Sequence, residues 1–114
     1  MLPNAKKAII KIEKLRDYCL NIEHPHGKHK AVIFKSYLGF TQINAEELKI
    51  AILDGIQTGN AFFTDEDIFG KRYYVDFIFR KFDKKVNIRT SWIIRKDEDF
   101  PRLTSCFIKT KNYD

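Results

Sequence analysis

The segment His24–Lys30, with the sequence HPHGKHK, holds all three histidines of the chain beside two lysines. Imidazole titrates near neutral pH and can take up or release a proton, and ammonium groups hold negative charge. Pro25 biases the preceding residue toward extended backbone, and Gly27 permits a tight approach just before a helix predicted over Lys28 to Leu38. Because a helix start presents free N–H groups, the segment predicts an anion site.

These residue types suit metal-free cleavage of an RNA phosphodiester. RNA carries its own nucleophile, the 2′-OH, so an enzyme needs a base, an acid and cations that hold the pentavalent phosphate. His24 is the predicted base or acid, and Lys30 and Arg89 are the predicted phosphate ligands. Ser91 shares a strand face with Arg89 and adds a hydrogen-bond donor.

Each of these residues also has an ordinary structural interpretation. His24 could satisfy a turn, Lys30 could be a solvated helix lysine, and Arg89 could pair with Asp76 across a hairpin. Nucleic-acid binding without catalysis draws on the same charge, with the aromatic strand Tyr73–Phe77 as a stacking surface. Alternating aromatic residues on a strand are more often core on one face, which weakens that stacking interpretation.

The pattern His24-x-His26-x-x-His29 raises a metal site as a further alternative. Structural zinc takes four ligands, and catalytic zinc takes three and an open position. Three histidines within six residues cannot easily converge on one ion, no cysteine lies near them, and Glu23 is the one helper carboxylate. We therefore expect neither a metal nor another cofactor.

The charge balance favours an anionic partner. The formal charge is +6 and the pI is about 9.3, so nucleic acid is expected first, an acidic protein second and a membrane surface third. The 44% apolar and 14% aromatic content argues against disorder. Residues 1–114 are therefore expected to form one domain with a modest core.

The cysteines and the apolar pattern predict a cytoplasmic protein. Cys19 and Cys106 lie in no CxxC motif and are expected as buried thiols in a reducing compartment. The chain has no continuous apolar segment of a signal peptide and no run of about 20 apolar residues that could span a bilayer. We expect no membrane partner, and the sequence leaves the oligomeric state open.

Helical periodicity dominates the first half of the chain. An extended lead at Ala8–Ile10 precedes a helix that ends near Leu20, and the helix from Lys28 ends at Gly39. Asn44 with Glu47 gives a capping-box-like start to a third helix, which Gly59-Asn60 ends.

The second half alternates with a period of two. Strands are predicted over residues 73–80, 86–95 and 103–109, with Phe82–Lys85 as a hairpin connection and an earlier edge strand around Asn60–Thr64. Helices followed by hairpin-linked strands predict an α+β fold, with N-terminal helices packed on a C-terminal antiparallel sheet of about four strands.

Residues along nearly the whole chain resemble a family of small bacterial domains. These domains stand alone, often encoded beside another small protein, or form the C-termini of filamentous-haemagglutinin-type contact-dependent toxins. The matching residues are Leu2-Pro3-Asn4-Ala5, Lys14-Leu15, Asp17-Tyr18, His24-Pro25, Gly27, His29-Lys30-Ala31, Phe34, Leu38-Gly39-Phe40, Gly70, Arg72-Tyr73, Val75-Asp76, Ile88-Arg89-Thr90, Trp92-Ile93 and Asp99-Phe100-Pro101-Arg102-Leu103.

The resemblance implies a toxin-like enzyme, and the order of elements is similar to the barnase–EndoU–colicin–RelE class of metal-independent ribonucleases. In the family pattern His24 and Lys30 have counterparts, the position of His26 is usually apolar, and that of His29 can be Asn. Arg89, Thr90 and Trp92 match its strand motif. Because the family pattern allows Asn in place of His29, the resemblance argues against a three-histidine metal site.

The resulting hypothesis is a ribonuclease toxin that acts on RNA and is neutralised by a small antitoxin or immunity protein. The predicted catalytic set is His24, Lys30, Arg89, Thr90 and Ser91, and the predicted substrate-binding set is Gly27, Lys28, His29 and Trp92. Arg89 and Thr90 point to opposite faces of a strand, so Arg89 is preferred. The alternative is a non-catalytic basic module that binds RNA or an acidic partner protein.

Overall fold

The computed structural model describes residues 1–110, which form helices in the first half and an antiparallel sheet in the second. The helices are α1 (Ile12–Lys14, continued by a π-helical turn at Leu15–Cys19), α2 (Lys28–Leu38) and α3 (Ala45–Gly55), with short 3-10 turns at Ala5–Lys7 and Gln42–Asn44. The strands are β1 (Asn60–Asp67), β2 (Gly70–Lys81), β3 (Lys84–Arg95) and β4 (Arg102–Lys109). The predicted α+β class is confirmed.

The sheet is a meander in the order β1-β2-β3-β4 with every neighbouring pair antiparallel. A two-residue turn, Phe82–Asp83, joins β2 to β3, inside the predicted connection. The predicted edge strand exists and extends to Asp67, with Thr64 as an extra residue in a bulge opposite β2.

The helices cover one face of the sheet and enclose the core. Val75, Ile88 and Cys106 alternate with partly exposed neighbours on β2, β3 and β4, as strand geometry requires. Phe34 of α2 and Leu48 of α3 are fully buried in the same cluster. The other face of the sheet, which includes Tyr74, Arg89 and Phe107, is partly exposed.

The first helix departs from regular geometry. The Leu20 N–H donates to the Leu15 carbonyl at 2.8 Å, an i→i+5 bond typical of a π-helical turn. This wider turn buries Leu15 and Cys19 and leaves Tyr18 partly exposed. The extended lead forms a single parallel bridge from Ile9 to Arg102, which attaches the N-terminal segment to β4.

The third helix begins after Asn44, as predicted, but the capping box that includes Asn44 and the end of the helix differ from the prediction. The capping box lies one turn earlier, where the Thr41 N–H donates to Asn44 Oδ1 at 2.9 Å. Glu47 accepts hydrogen bonds from Asn44 Nδ2 at 3.2 Å and from Lys81 Nζ of β2 at 2.7 Å. The helix ends at Gly55, where a Cβ would lie 2.3 Å from the Phe77 ring.

Both cysteines are free and buried, as predicted. Within residues 1–110, no helix has the length and apolar character needed to cross a membrane.

Candidate functional site

The turn before α2 is organised by the His24 imidazole. Its Nδ1 accepts hydrogen bonds from the backbone N–H groups of His26 and Gly27, both at 3.0 Å, and its carbonyl accepts from Lys28 N–H at 3.1 Å. The ring thus does what a capping Asn or Asp does at other helix starts. An Nδ1 that accepts two hydrogen bonds carries no proton, so in this arrangement Nε2 carries it.

Tyr18 connects this turn to Lys30. The Tyr18 and His24 rings meet edge to face with centroids 4.8 Å apart. Lys30 Nζ donates to Tyr18 Oη at 3.2 Å and lies 5.2 Å from the centre of the same ring. Gly27 is needed for this packing, because a Cβ there would lie 2.3 Å from the Tyr18 carbonyl oxygen. The π-helical turn and the start of α2 are therefore docked together.

Two surface depressions lie on either side of the Tyr18–Lys30 hydrogen bond. The first, which we call the histidine depression, has a volume of about 300 Å³ and is lined by His26, His29, Lys30, Ile33 and Phe107. The second has a volume of about 580 Å³ and is lined by Lys11, Glu13, Lys14, Asp17, Tyr18, His24 and Thr104. Imidazole, phenol and ammonium groups are thus concentrated at the junction of α1, α2 and β4.

Acidic charge near the second depression is partly neutralised. Arg16 donates two hydrogen bonds of 2.9 Å to the Asp17 carboxylate. These hydrogen bonds lower the pKa of Asp17, which stays ionised and paired. Within residues 1–110, Lys11 and Lys14 form no ion pair. Glu13 is the second carboxylate of the lining, so this depression carries charges of both signs.

Arg89 lies on the open face of the sheet, where it is paired within the β2–β3 hairpin. Its Nε and Nη2 donate to the Asp76 carboxylate at 2.8 and 2.9 Å, and the guanidinium carbon lies 3.9 Å from the centre of the Tyr74 ring. The hydrogen bonds to Asp76 raise the pKa of Arg89. Arg89 lines neither depression, although its cross-strand neighbour Phe107 lines the first. The Arg89–Asp76 pair across the hairpin, considered from the sequence as the structural alternative, is the one observed.

Thr90 and Trp92, predicted to contact the substrate, lie in the core. Thr90 is 0% exposed and Trp92 is 1% exposed. Thr90 Oγ1 donates to the Val75 carbonyl at 2.9 Å and accepts from Trp92 Nε1 at 2.8 Å. Their polar groups bind each other and the backbone, because both side chains point to the helix-covered face. Neither one reaches a substrate in this structure.

The remaining predicted residues are at the surface. Ser91 is partly exposed and lies opposite Tyr74 and Ser105 on the face that carries Arg89. Lys28 is exposed and lines neither depression, whereas His29 lines the first. In the described part of the chain, no three His, Cys, Asp or Glu side chains converge closely enough to hold a metal ion.

The chain matches, over residues 1–110, a family described as a domain of unknown function. It belongs to the DUF6883 family. No curated protein and no solved structure matches it. The DUF6883 match spans every helix and strand given above, including both depressions. The toxin and ribonuclease resemblance of this DUF6883 chain stays a prediction.

Sequence reasoning missed three residues of the site. Tyr18 lies in the π-helical turn, and nothing in the local sequence indicates that turn. Phe107 could have been found, because it alternates with the core residues Cys106 and Ile108 and must face the other side of β4. His26 was set aside because the resemblance gave an apolar residue at its position.

Proposed function

We propose that this DUF6883 chain is a metal-independent ribonuclease whose catalytic groups are His26, His29 and Lys30. The observation that carries the proposal is that two titratable imidazoles and one ammonium line the same small depression. Its other walls, Ile33 and Phe107, are apolar. Charged groups on apolar walls interact more strongly than they do in open water.

The reaction needs no group that the chain lacks. One imidazole accepts the proton of the 2′-OH, the 2′-oxygen attacks phosphorus, and the bond to O5′ breaks. The other imidazole gives its proton to O5′, which leaves a 2′,3′-cyclic phosphate and a 5′-hydroxyl. Lys30 stabilises the charge that develops on the phosphate oxygens. The Phe107 ring is placed to contact a neighbouring base.

His26 and His29 suit proton transfer better than His24 does. In the described residues, no hydrogen bond engages the ring nitrogens of His26 or His29, and both side chains are exposed. The Nδ1 of His24 is already engaged, because it accepts hydrogen bonds from two backbone N–H groups. His24 therefore holds the turn, and Tyr18 holds Lys30 beside it.

The test is cleavage of a single-stranded RNA by purified protein with a chelator present. We expect H26Q and H29Q each to lower kcat/KM by about 100-fold or more, because one partner of an acid–base pair is lost. The pH–rate profile should be bell-shaped, and each variant should lose one limb of it. K35Q, an exposed lysine change on the same helix, should behave as wild type.

The biological role that we propose is that of a toxin held in check by a small acidic partner. Induced expression should stop growth and degrade RNA, and H26Q should relieve both effects. RNA that is bound but left intact by the wild-type protein would contradict catalysis and favour the non-catalytic binding module.

A further inference from the structure

The second depression continues into a third along the edge where the N-terminal segment meets β4. The third has a volume of about 270 Å³ and shares Lys11, Lys14 and Thr104 with the second. Because they share these three residues, the two depressions are adjacent, and we call them together the basic groove. The residues that line it are Ile9, Lys11, Glu13, Lys14, Asp17, Tyr18, His24, Ile93, Arg95, Arg102, Leu103 and Thr104.

Three cations of the basic groove are available to an anion. Lys11, Lys14 and Arg95 are exposed, and none of them forms an ion pair within residues 1–110. Arg102 is engaged, since it donates two 2.9 Å hydrogen bonds to Glu98. Asp17 is occupied by Arg16, as described above. Glu13 is the remaining carboxylate of the lining.

The fold fixes these cations in a row. The bridge between Ile9 and Arg102, with Leu103 N–H donating to the Ile9 carbonyl at 3.0 Å, holds the N-terminal segment against β4. Lys11 is the extended residue before α1, and the Lys14 N–H donates to its carbonyl at 2.9 Å, so the two lysines lie at either end of this first turn. Arg95 lies at the end of β3 beyond them, and Tyr18 lies at the opposite end of the groove.

The groove also offers surfaces that suit unpaired bases. Ile9 and Ile93 form apolar parts of its wall, and the Tyr18 ring lies where it approaches the histidine depression. Proteins that bind single strands combine a cationic track for the backbone with apolar or aromatic contacts for the bases. A base-paired duplex hides those base surfaces, so a single strand fits this lining better.

We infer that single-stranded RNA several nucleotides long lies along the basic groove, with phosphates on Lys11, Lys14 and Arg95. The strand passes Tyr18 and enters the histidine depression. The substrate class is thus an extended single strand rather than a mononucleotide or a duplex. That the RNA strand continues into the histidine depression rests on the proposed function. That the basic groove binds RNA does not rest on it.

The test uses a 2′-O-methyl RNA 12-mer, which cannot be cleaved, with affinity measured by fluorescence anisotropy over a series of salt concentrations. Each phosphate contact to a single strand contributes about 0.7 to the slope of log K against log salt. K11Q/K14Q should therefore reduce that slope by about 1.4 and lower the affinity at low salt by about tenfold or more. A 4-mer should bind more weakly than the 12-mer.

The matched control is K84Q/K85Q at the β2–β3 turn, which lowers the formal charge by the same two units from +6. Equal losses in the two double variants would mean that net charge alone acts, and would overturn the inference. Tighter binding of a duplex, or tighter binding of an acidic protein that survives K11Q/K14Q, would also overturn it.

The two proposals fail separately. If RNA bound through Lys11 and Lys14 but was never cleaved, the ribonuclease proposal would be contradicted, and the groove would stand as the binding site. If K11Q/K14Q cleaved the unmodified RNA 12-mer with an unchanged KM, the groove would be contradicted as the binding site, and the ribonuclease proposal would stand. H26Q should lose cleavage and lower the affinity for the 2′-O-methyl RNA far less than K11Q/K14Q does.

Discussion

At the turn before α2, the His24 imidazole accepts hydrogen bonds from two backbone N–H groups, a task that Asn or Asp more often performs. The residue predicted as the acid or base of the site thereby becomes a positioning residue. The two imidazoles that follow it, His26 and His29, keep their ring nitrogens available. Of the three histidines, His24 therefore holds the backbone of the turn, whereas the ring nitrogens of His26 and His29 form no hydrogen bond within residues 1–110.

A pair of substitutions at position 24 distinguishes these roles. Asn can accept the backbone N–H two residues on, so H24N should keep the turn, whereas H24A should lose it. We expect H24A to lower the free energy of unfolding by about 1 kcal/mol and kcat/KM by about tenfold, and H24N to restore most of both. Denaturant unfolding followed by fluorescence, together with RNA cleavage, measures the two effects.

The result that would contradict this assignment is specific. If H24N were as stable as wild type but as inactive as H24A, the imidazole itself would contact the substrate.

At the scale of elements, α3 is tied to the sheet by one ion pair. Lys81 Nζ of β2 donates to both oxygens of Glu47 at 2.9 and 2.7 Å. The hydrogen bond from Lys81 is the main reason that the pKa of Glu47 is lowered from its ordinary 4.5. The same lysine lies 5.0 Å from the centre of the Phe40 ring, so it also packs on the loop between α2 and α3.

This ion pair predicts a pH dependence of stability. Because the folded protein binds the Glu47 proton less tightly than the unfolded chain does, the stabilisation is complete above about pH 4.5 and is lost as the pH falls through the lower folded pKa. The unfolding midpoint in denaturant should therefore fall less between pH 6 and pH 3 in E47Q than in wild type. E46Q, a neighbouring exposed change, should follow the wild-type curve, and an identical acid response in all three proteins would contradict the assignment.

At the scale of the whole molecule, the sheet separates two environments. Its covered face holds the core, in which Thr90 links the Val75 carbonyl to the only tryptophan, Trp92. Its open face carries a row in which the Phe62 and Tyr74 rings stack at 4.9 Å and Arg89 lies over Tyr74. Neither set borders the basic groove, which lies along the edge of β4.

Thr90 should therefore matter for stability and not for catalysis. T90V keeps the shape of the side chain but leaves the buried Trp92 N–H without its acceptor, which should cost about 1–3 kcal/mol of unfolding free energy. kcat/KM measured well below the unfolding midpoint should be unchanged. T58V, on an exposed threonine, should stay within about 0.5 kcal/mol of wild type. A catalytic loss in T90V without a loss of stability would return Thr90 to the active site.

The local patterns predicted much of the architecture because their causes are local. The apolar period changes from helix to strand, Gly39 adopts the positive φ of 70° that ends α2, and the hairpin turn falls where predicted. The π-helical turn and the early end of α3 were not predictable in this way. Both lie where residues distant in sequence pack closely, Tyr18 against Lys30 and Gly55 against the Phe77 ring.

From the sequence alone came the α+β class, the four strands, the basic charge and the chemically rich segment His24–Lys30. Which of those side chains can act was decided by the folded structure, because availability depends on the hydrogen bonds that each forms, locally for His24 and across the β2–β3 hairpin for Arg89 and Thr90. Residue type marked His24, Arg89 and Thr90 as reactive. In the structure, His24 is engaged by backbone N–H groups, Arg89 by Asp76 and Thr90 by the Val75 carbonyl. His26 and His29 remain beside Lys30. They lie at the end of a groove that forms only when the N-terminal segment lies against β4.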